Sequence, residues 1–257
     1  MDIAVITGAS SGLGEEFLKQ IDSYKFDEIW VIARNKEKLE KLHNQVKTKL
    51  KILPLDLSLN SSFEIYEREL LNEKPNVKLL INCAGFGKFG NYLDISLDDS
   101  LKMIDLNCKA LVSMTVKTLP FMREFSKILQ ICSSSSFQPL PLANIYASTK
   151  SFVLSYSRAL NYELKPRRIL VTAVCPGWVR TNFFETAKKT KNPSAVNNYA
   201  FMSDPKDVVK KALHDINKNK SISIYGAFSL AQFIGTKFFP KDFIMNIWVM
   251  SQKGAKG

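Results

Sequence analysis

The sequence is poor in the residues that build metal centres and disulfide frameworks. It has two histidines, His43 and His214, and four cysteines, Cys83, Cys108, Cys132 and Cys175, with no Cys-x-x-Cys pair among them. A structural zinc site is therefore not expected. The cysteines are scattered, and three lie in or beside apolar strand-like runs, as reduced core thiols of a reducing compartment do. No run of about 18 residues is both apolar and free of charge, which argues against a membrane span. No linker, composition break or repeat divides the chain, so residues 1–257 read as one domain. A first strand starts at Asp2 and leaves no room for a signal peptide, from which a cytoplasmic location is expected. The net charge of +12 brings no stripe of basic residues interleaved with aromatics, and its lysines lie along helix-like segments such as 35–49. Solvated faces account for that, and nucleic-acid binding is not expected.

What is present is a 46% hydrophobic chain, enough for a large core. Short apolar runs alternate with helix-period segments. Residues 2–7 form such a run and end in Gly8-Ala9-Ser10-Ser11-Gly12-Leu13-Gly14, after which Phe17, Leu18 and Ile21 recur at helical spacing. Strand, glycine turn and helix in that order make a phosphate cradle, because the glycines let backbone approach and the helix start offers free N–H groups. A second strand, 28–33, ends at Arg34, twenty residues beyond Gly14. Enzymes for NAD usually place a carboxylate there to bind the ribose 2′-hydroxyl, whereas an arginine fork suits a 2′-phosphate. NADP(H) is therefore expected over NAD(H), with Asn35 and Ser11 adding neutral hydrogen bonds. Residues 35–46 read as an amphipathic helix carrying a surface His43. A third strand, 51–55, leads to Asp56 and Leu57, with Asp56 placed to accept from an adenine amino group. Residues 61–71 read as helix, and a fourth strand, 77–81, runs into Asn82-Cys83-Ala84-Gly85.

Residues 96–107 form a helix that continues through 109–122, interrupted near Asn107. A polar amide among Ile104, Leu106, Ala110 and Leu111 needs partners, since burying it unpaired costs roughly 1–3 kcal/mol. A fifth strand, 128–132, ends at Ser133. Thirteen residues on, Tyr146 and Lys150 stand four apart at the head of a helix, 146–164, about 40° apart around its axis. An ammonium that close to a phenol is expected to lower the phenol pKa from about 10 toward neutrality and make it a proton donor and acceptor. The sixth strand, 169–174, is followed by Pro176-Gly177-Trp178-Val179-Arg180-Thr181, and a seventh covers 221–225. The alternation predicts an α/β fold, a doubly wound parallel sheet of seven strands with helices on both faces.

In order and spacing, residues 7–14, 82–85, Asn107, Ser133, Tyr146 with Lys150, and Pro176-Gly177-x-Val179-x-Thr181 resemble the motifs of the short-chain dehydrogenase/reductase family over roughly residues 1–225. The resemblance implies an NADP(H)-dependent oxidoreductase that moves hydride between the cofactor and a carbonyl or secondary alcohol. It makes Tyr146 the catalytic acid/base, Ser133 the group that holds the substrate oxygen, and Lys150 the residue that tunes Tyr146 and binds the nicotinamide ribose. Asn107 would hold a water linking Lys150 to solvent. Cofactor contacts are expected from Gly8, Ser10, Ser11, Gly12, Leu13, Gly14, Arg34, Asn35, Asp56, Leu57, Asn82, Ala84, Gly85, Tyr146, Lys150, Pro176, Gly177, Val179 and Thr181. Two positions depart from the family pattern. Cys83 replaces a usual asparagine, and Ser134-Ser135-Ser136-Phe137 follows Ser133, which leaves Ser134 as an alternative catalytic serine.

Residues 181–202, with Phe183, Phe184, Tyr199 and Phe201, lie where the family carries its substrate lid and read as a mobile cover. Residues 204–218 form an amphipathic helix, holding His214, behind a Ser203-Asp204-Pro205 start. From Gly226 the resemblance fades into a C-terminal apolar helical extension, 226–257, broken by Pro240. It is too apolar to be a loose tail. The favoured cover is the substrate pocket or the chain's own core, ahead of a subunit interface and of a membrane surface with Lys237, Lys241, Lys253 and Lys256 at the headgroups. The aromatic lid and tail point to an apolar substrate such as a steroid, lipid or aromatic ketone, and the family to a homodimer or homotetramer. A non-catalytic NADP(H)-binding regulator is the rival reading.

Overall fold

A strand covered on both faces reads as an unbroken apolar run, because successive side chains point to opposite sides. Ile3-Ala4-Val5-Ile6 behaves this way: Ile3 and Val5 join one buried cluster, and Ala4 and Ile6 join another. The computed structural model describes residues 1–253. The chain runs β1 (Asp2–Thr7), α1 (Gly12–Ile21), β2 (Glu28–Ala33), α2 (Lys36–Glu40), β3 (Leu50–Pro54), α3 (Asn60–Glu73), β4 (Asn76–Asn82), α4 (Leu97–Ile104), α5 (Leu111–Thr118) and β5 (Lys127–Ile131). It continues with α6 (Asn144–Glu163), β6 (Leu170–Cys175), α7 (Phe183–Ala187), α8 (Pro205–Asn217), β7 (Ile222–Ile224), α9 (Ala227–Phe238) and α10 (Lys241–Lys253). All pairings are parallel, in the order β3-β2-β1-β4-β5-β6-β7.

Helices cover both faces, as the alternation predicts. Tyr66 and Leu70 of α3, Met114 of α5 and Leu160 of α6 pack with Ile3, Val5, Trp30, Ile32, Leu80, Ile128 and Val171. Phe17, Leu18 and Ile21 of α1, Leu39 of α2, and Val209, Leu213 and Ile216 of α8 pack with Ala4, Ile6, Ile29, Val31, Leu79, Ile81, Leu129 and Val174 on the other side. Strand order reverses between β1 and β4, and the crevice beyond that reversal is where such sheets bind ligands.

Two segments differ in detail from the sequence expectation, and two take a more definite form. The helix expected over 35–46 is α2 followed by a 3₁₀ turn, Lys41–Asn44. Tightening to three residues per turn brings Leu39 and Leu42, three apart, into the same core. The interruption near Asn107 is a π-helical segment, Asp105–Ala110, between α4 and α5. The stretch read as a mobile cover is largely packed: α7 and the chain after it form an aromatic cluster in which Trp178, Phe184 and Tyr199 meet at centroid separations of 4.9–5.7 Å. Backbone bonds tie it down at Phe89 N to Ala187 O and Ser203 N to Trp178 O, and the buried Lys88 donates to Lys189 O. The extension is a helical hairpin, α9 and α10, broken at Pro240; Lys256 and the side chain of Lys253 lie outside the described residues.

The turn after β1 depends on the absence of side chains. Gly8 has φ of +68°, and a Cβ there would stand 2.8 Å from Ala84 N, at the end of β4. A Cβ on Gly14 would stand 2.2 Å from Gly8 O, so the first turn of α1 lies directly on the turn that starts it. Gly14→Ala must push backbone from backbone. It is expected to cost at least about 1–3 kcal/mol, read as a lowered urea midpoint at unchanged slope, and an Ala variant as stable as wild type would refute this packing.

Candidate active site

Three chain segments that are far apart in sequence converge at the carboxyl end of the sheet. The glycine turn follows β1, the Asn82–Gly85 turn follows β4, and Ser133 follows β5. Thr7 fastens the first two together: its hydroxyl accepts from Cys83 N at 3.0 Å and Ala84 N at 3.1 Å. Thr181 closes the third side, with its methyl 3.3 Å from where a Cβ on Gly12 would be. The Pro176–Thr181 loop thus meets the glycine turn, as a cofactor groove requires. Ser11, the N-cap of α1, makes no side-chain capping bond, which leaves the first N–H groups of that helix for an anion. The bare glycine backbone and this uncapped helix start fit a dinucleotide pyrophosphate.

At the opposite end of the groove Arg34 is exposed directly after β2. Burial acts to raise the Asp56 carboxyl, but hydrogen bonds from Ser58 N and Oγ and the charge of Arg34 hold it below its ordinary value. Arg34 and Asp56 therefore share one neighbourhood. Two expected cofactor contacts are committed elsewhere. The side chain of Asn35 caps α2 by accepting from Lys38 N at 2.8 Å. Asn82 turns inward and donates to Thr115 Oγ1 and Gln130 Oε1, so its side chain holds α5 and β5 to β4 and only its backbone faces the groove's side of the turn.

Ser133, Tyr146 and Lys150 come together, each at least nine-tenths buried. The Ser133 side chain lies near enough to the Tyr146 phenol to lower its pKa, and its Oγ accepts from Ser135 N at 3.2 Å, so the serine beside the phenol is Ser133 and not Ser134. Ser134 instead joins the loops by its backbone, donating from N to Pro176 O and accepting at O from Gln232. Lys150 Nζ donates to Ile131 O at 2.8 Å and lies 5.8 Å from the centre of the Tyr146 ring. One expectation fails here. In the chain by itself the Tyr146 phenol is pushed up, because burial outweighs the effect of Ser133. Burial likewise lowers the Lys150 pKa, so the ammonium that was to acidify the phenol is itself disfavoured in this dry site.

Asn107 explains its own burial. Its Oδ1 accepts from Phe86 N at 3.0 Å, and its Nδ2 donates to Phe86 O at 2.9 Å and Thr149 Oγ1 at 3.0 Å. Both ends of the side-chain amide thus have protein partners. Its Oδ1 would stand 2.8 Å from a Cβ on Gly85, and Lys150 Nζ 3.5 Å from it, so the π segment, the β4 turn and α6 touch at that glycine.

Several contributors escaped the sequence reading. Thr149 both receives from Asn107 and donates to Tyr146 O at 2.7 Å. Its place beside Lys150 was the available signal. Phe183 lies against Tyr146 at 5.4 Å between ring centres, and Phe86, Ile95, Met103 and Ile145 complete an apolar cluster around that phenol. All four cysteines lie near enough to Lys150 to bear on its titration, and Cys132 Sγ donates to Lys150 O at 3.0 Å. Their scatter in sequence concealed this.

Comparison with known proteins agrees with this geometry. A family model described as short chain dehydrogenase matches residues 2–192. Human very-long-chain 3-oxoacyl-CoA reductase is 31% identical over 195 residues, covering 73% of this chain and 62% of that one. A short-chain dehydrogenase from Sphingobium yanoikuyae in complex with NADPH superposes with a TM-score of 0.78 at 25% identity, covering 96% of each chain. A short chain dehydrogenase/reductase from Burkholderia phymatum in complex with NAD has a TM-score of 0.79 at 19% identity, covering 91% of this chain and 92% of that one, a likeness of fold alone.

Asn107→Ala would strand Phe86 N and O and the Thr149 hydroxyl. A loss of about 1–3 kcal/mol in unfolding free energy is expected, together with a fall in turnover as Tyr146 and Lys150 lose their backing. Unchanged stability by chemical denaturation would refute the role given to this amide.

Proposed function

The chain belongs to the short chain dehydrogenase family, and from that premise we propose that it is an NADP(H)-dependent oxidoreductase interconverting an apolar ketone and its secondary alcohol. When bound, the nicotinamide supplies or accepts the hydride at the carbonyl carbon. Tyr146 gives the proton to the substrate oxygen in reduction and takes it back in oxidation, and Ser133 stabilises that oxygen as charge develops. Lys150 holds the ribose and, once charged, favours the phenolate. The observation that carries the reading is Ser133 beside the Tyr146 phenol, with a buried Lys150 against the same ring, at the end of the sheet that also holds the glycine turn. A regulator that only senses cofactor has no use for that arrangement.

The choice of NADP(H) rests on Arg34, exposed at the end of β2 where a carboxylate would otherwise bind the 2′-hydroxyl. It is supported by the NADPH in the Sphingobium structure. An apolar substrate is supported by Phe86, Ile95, Met103 and Phe183 around Tyr146 and by the acyl substrate in the name of the human relative. A steroid, lipid or aromatic ketone fits such a wall. We also propose a homodimer or homotetramer, which would cover the exposed Leu101, Ile104, Val116, Phe152 and Tyr162 on α4, α5 and α6.

Tyr146→Phe removes the proton carrier while keeping the ring. Turnover on a ketone panel, followed at the absorbance of the reduced cofactor, is expected to fall by about 10²-fold or more with NADPH binding retained; near-normal turnover would overturn the reading. For the cofactor, kcat/KM should favour NADPH over NADH in wild type and lose that preference in Arg34→Ala. A wild type that prefers NADH would reverse the assignment.

A further inference from the structure

The C-terminal hairpin is amphipathic in two directions: its inner face is held by loops of the chain, and its outer face is largely exposed among the described residues. Trp248 Nε1 donates to Pro141 O at 2.8 Å, Gln252 Oε1 accepts from Asn197 N and Asn198 N, and Gln232 donates to Ser134 O. Phe233 lies 4.9 Å from Phe137, and Ser229 faces Gly177. These contacts set the hairpin on the loops that follow β5 and β6, beside the candidate active site. The outer face carries Phe228, Ile234 and Phe238 on α9 and Phe243, Ile247 and Met250 on α10, spaced by three, four or six residues, each about half exposed or more. Phe201 extends it by stacking on Phe228 at 5.4 Å.

We propose that this outer face docks on the surface of an anionic lipid bilayer. Lys237 and Lys241 are exposed at the bend between the helices, the ammonium of Lys237 resting over the inner-face ring of Phe233 at 4.4 Å, with Asp242 the acidic residue beside them. The chain as a whole carries +12. An aromatic and aliphatic face flanked by lysines lies in the boundary between headgroups and acyl chains, and a positive protein is drawn to a negative surface. Neither helix is long and apolar enough to cross the membrane among the described residues, so the hairpin lies on the surface rather than through it. A second copy of this chain is the poorer occupant: it would bring the same positive charge to the contact, and a separate apolar set on α4, α5 and α6 serves self-association. Docking in this orientation would hold the site's entrance close to the acyl boundary, where an apolar ketone partitions. Lipid binding itself does not depend on the proposed activity.

The test is flotation of the full chain with vesicles of phosphatidylcholine alone and of phosphatidylcholine and phosphatidylglycerol in equal parts. Wild type should float with the anionic vesicles, less so at high salt. Phe238→Ser with Phe243→Ser should reduce the bound fraction about tenfold, and Lys237→Gln or Lys241→Gln about fivefold each. Leu71→Ser, which removes an exposed leucine on α3, should change nothing. Circular dichroism and turnover of a water-soluble ketone should be as in wild type for all of these. Wild type remaining unbound with anionic vesicles overturns the proposal, as does flotation untouched by the two serine substitutions. So does a fall in native mass in the serine pair when wild type binds no vesicle, which would identify a second copy as the occupant.

Discussion

Everything at the head of the sheet depends on one steric constraint: the turn after β1 is squeezed between α1 and the end of β4 with no room for a methyl group on either side. Gly14 is pressed on Gly8 O, and Gly8 on Ala84 N. That contact brings the start of α1 within reach of the crevice between β1 and β4, where the first N–H groups of the helix have no side-chain cap. A phosphate-sized anion is the natural complement of such a surface. Thr7 reinforces the closeness from below with two hydrogen bonds to the opposite turn.

The chemistry near Tyr146 rests on a different balance. Desolvation opposes charge on both members of the pair, raising the phenol and lowering the amine. The carbonyl oxygen of Ile131 holds the Lys150 amine in place, and the nearby Ser133 side chain opposes the rise of the phenol. The tyrosine is poised by its surroundings rather than by the lysine alone.

Much of this was legible in the order of residues. Strand runs such as Ile3-Ala4-Val5-Ile6 announce a sheet covered on both faces, and the glycine, tyrosine and lysine spacings mark the places where the chain must be bare or charged. The break near Asn107 was visible as a polar residue in an apolar helix, though its form was not, since no spacing rule distinguishes a wide turn from a kink. What could not be read were relations between distant segments. The side chain of Asn35 caps a helix end, and that of Asn82, a residue expected to serve through its backbone, joins α5 and β5. The segment after Thr181 looked loose because it mixes lysines with aromatics, while the partners that pack it, Phe89 and Trp248, are supplied from far along the chain.

The wide turn at Asp105–Ala110 allows two surfaces to be satisfied by what is otherwise one rod. Before it, Met103 is phased toward the apolar cluster around Tyr146; after it, Met114, Thr115 and Thr118 are phased toward the sheet and α3. A regular helix would tie these two orientations together, so that improving one would spoil the other. The additional residue uncouples them, so that the packing around Tyr146 can be altered in the first half without disturbing the foundation laid by the second.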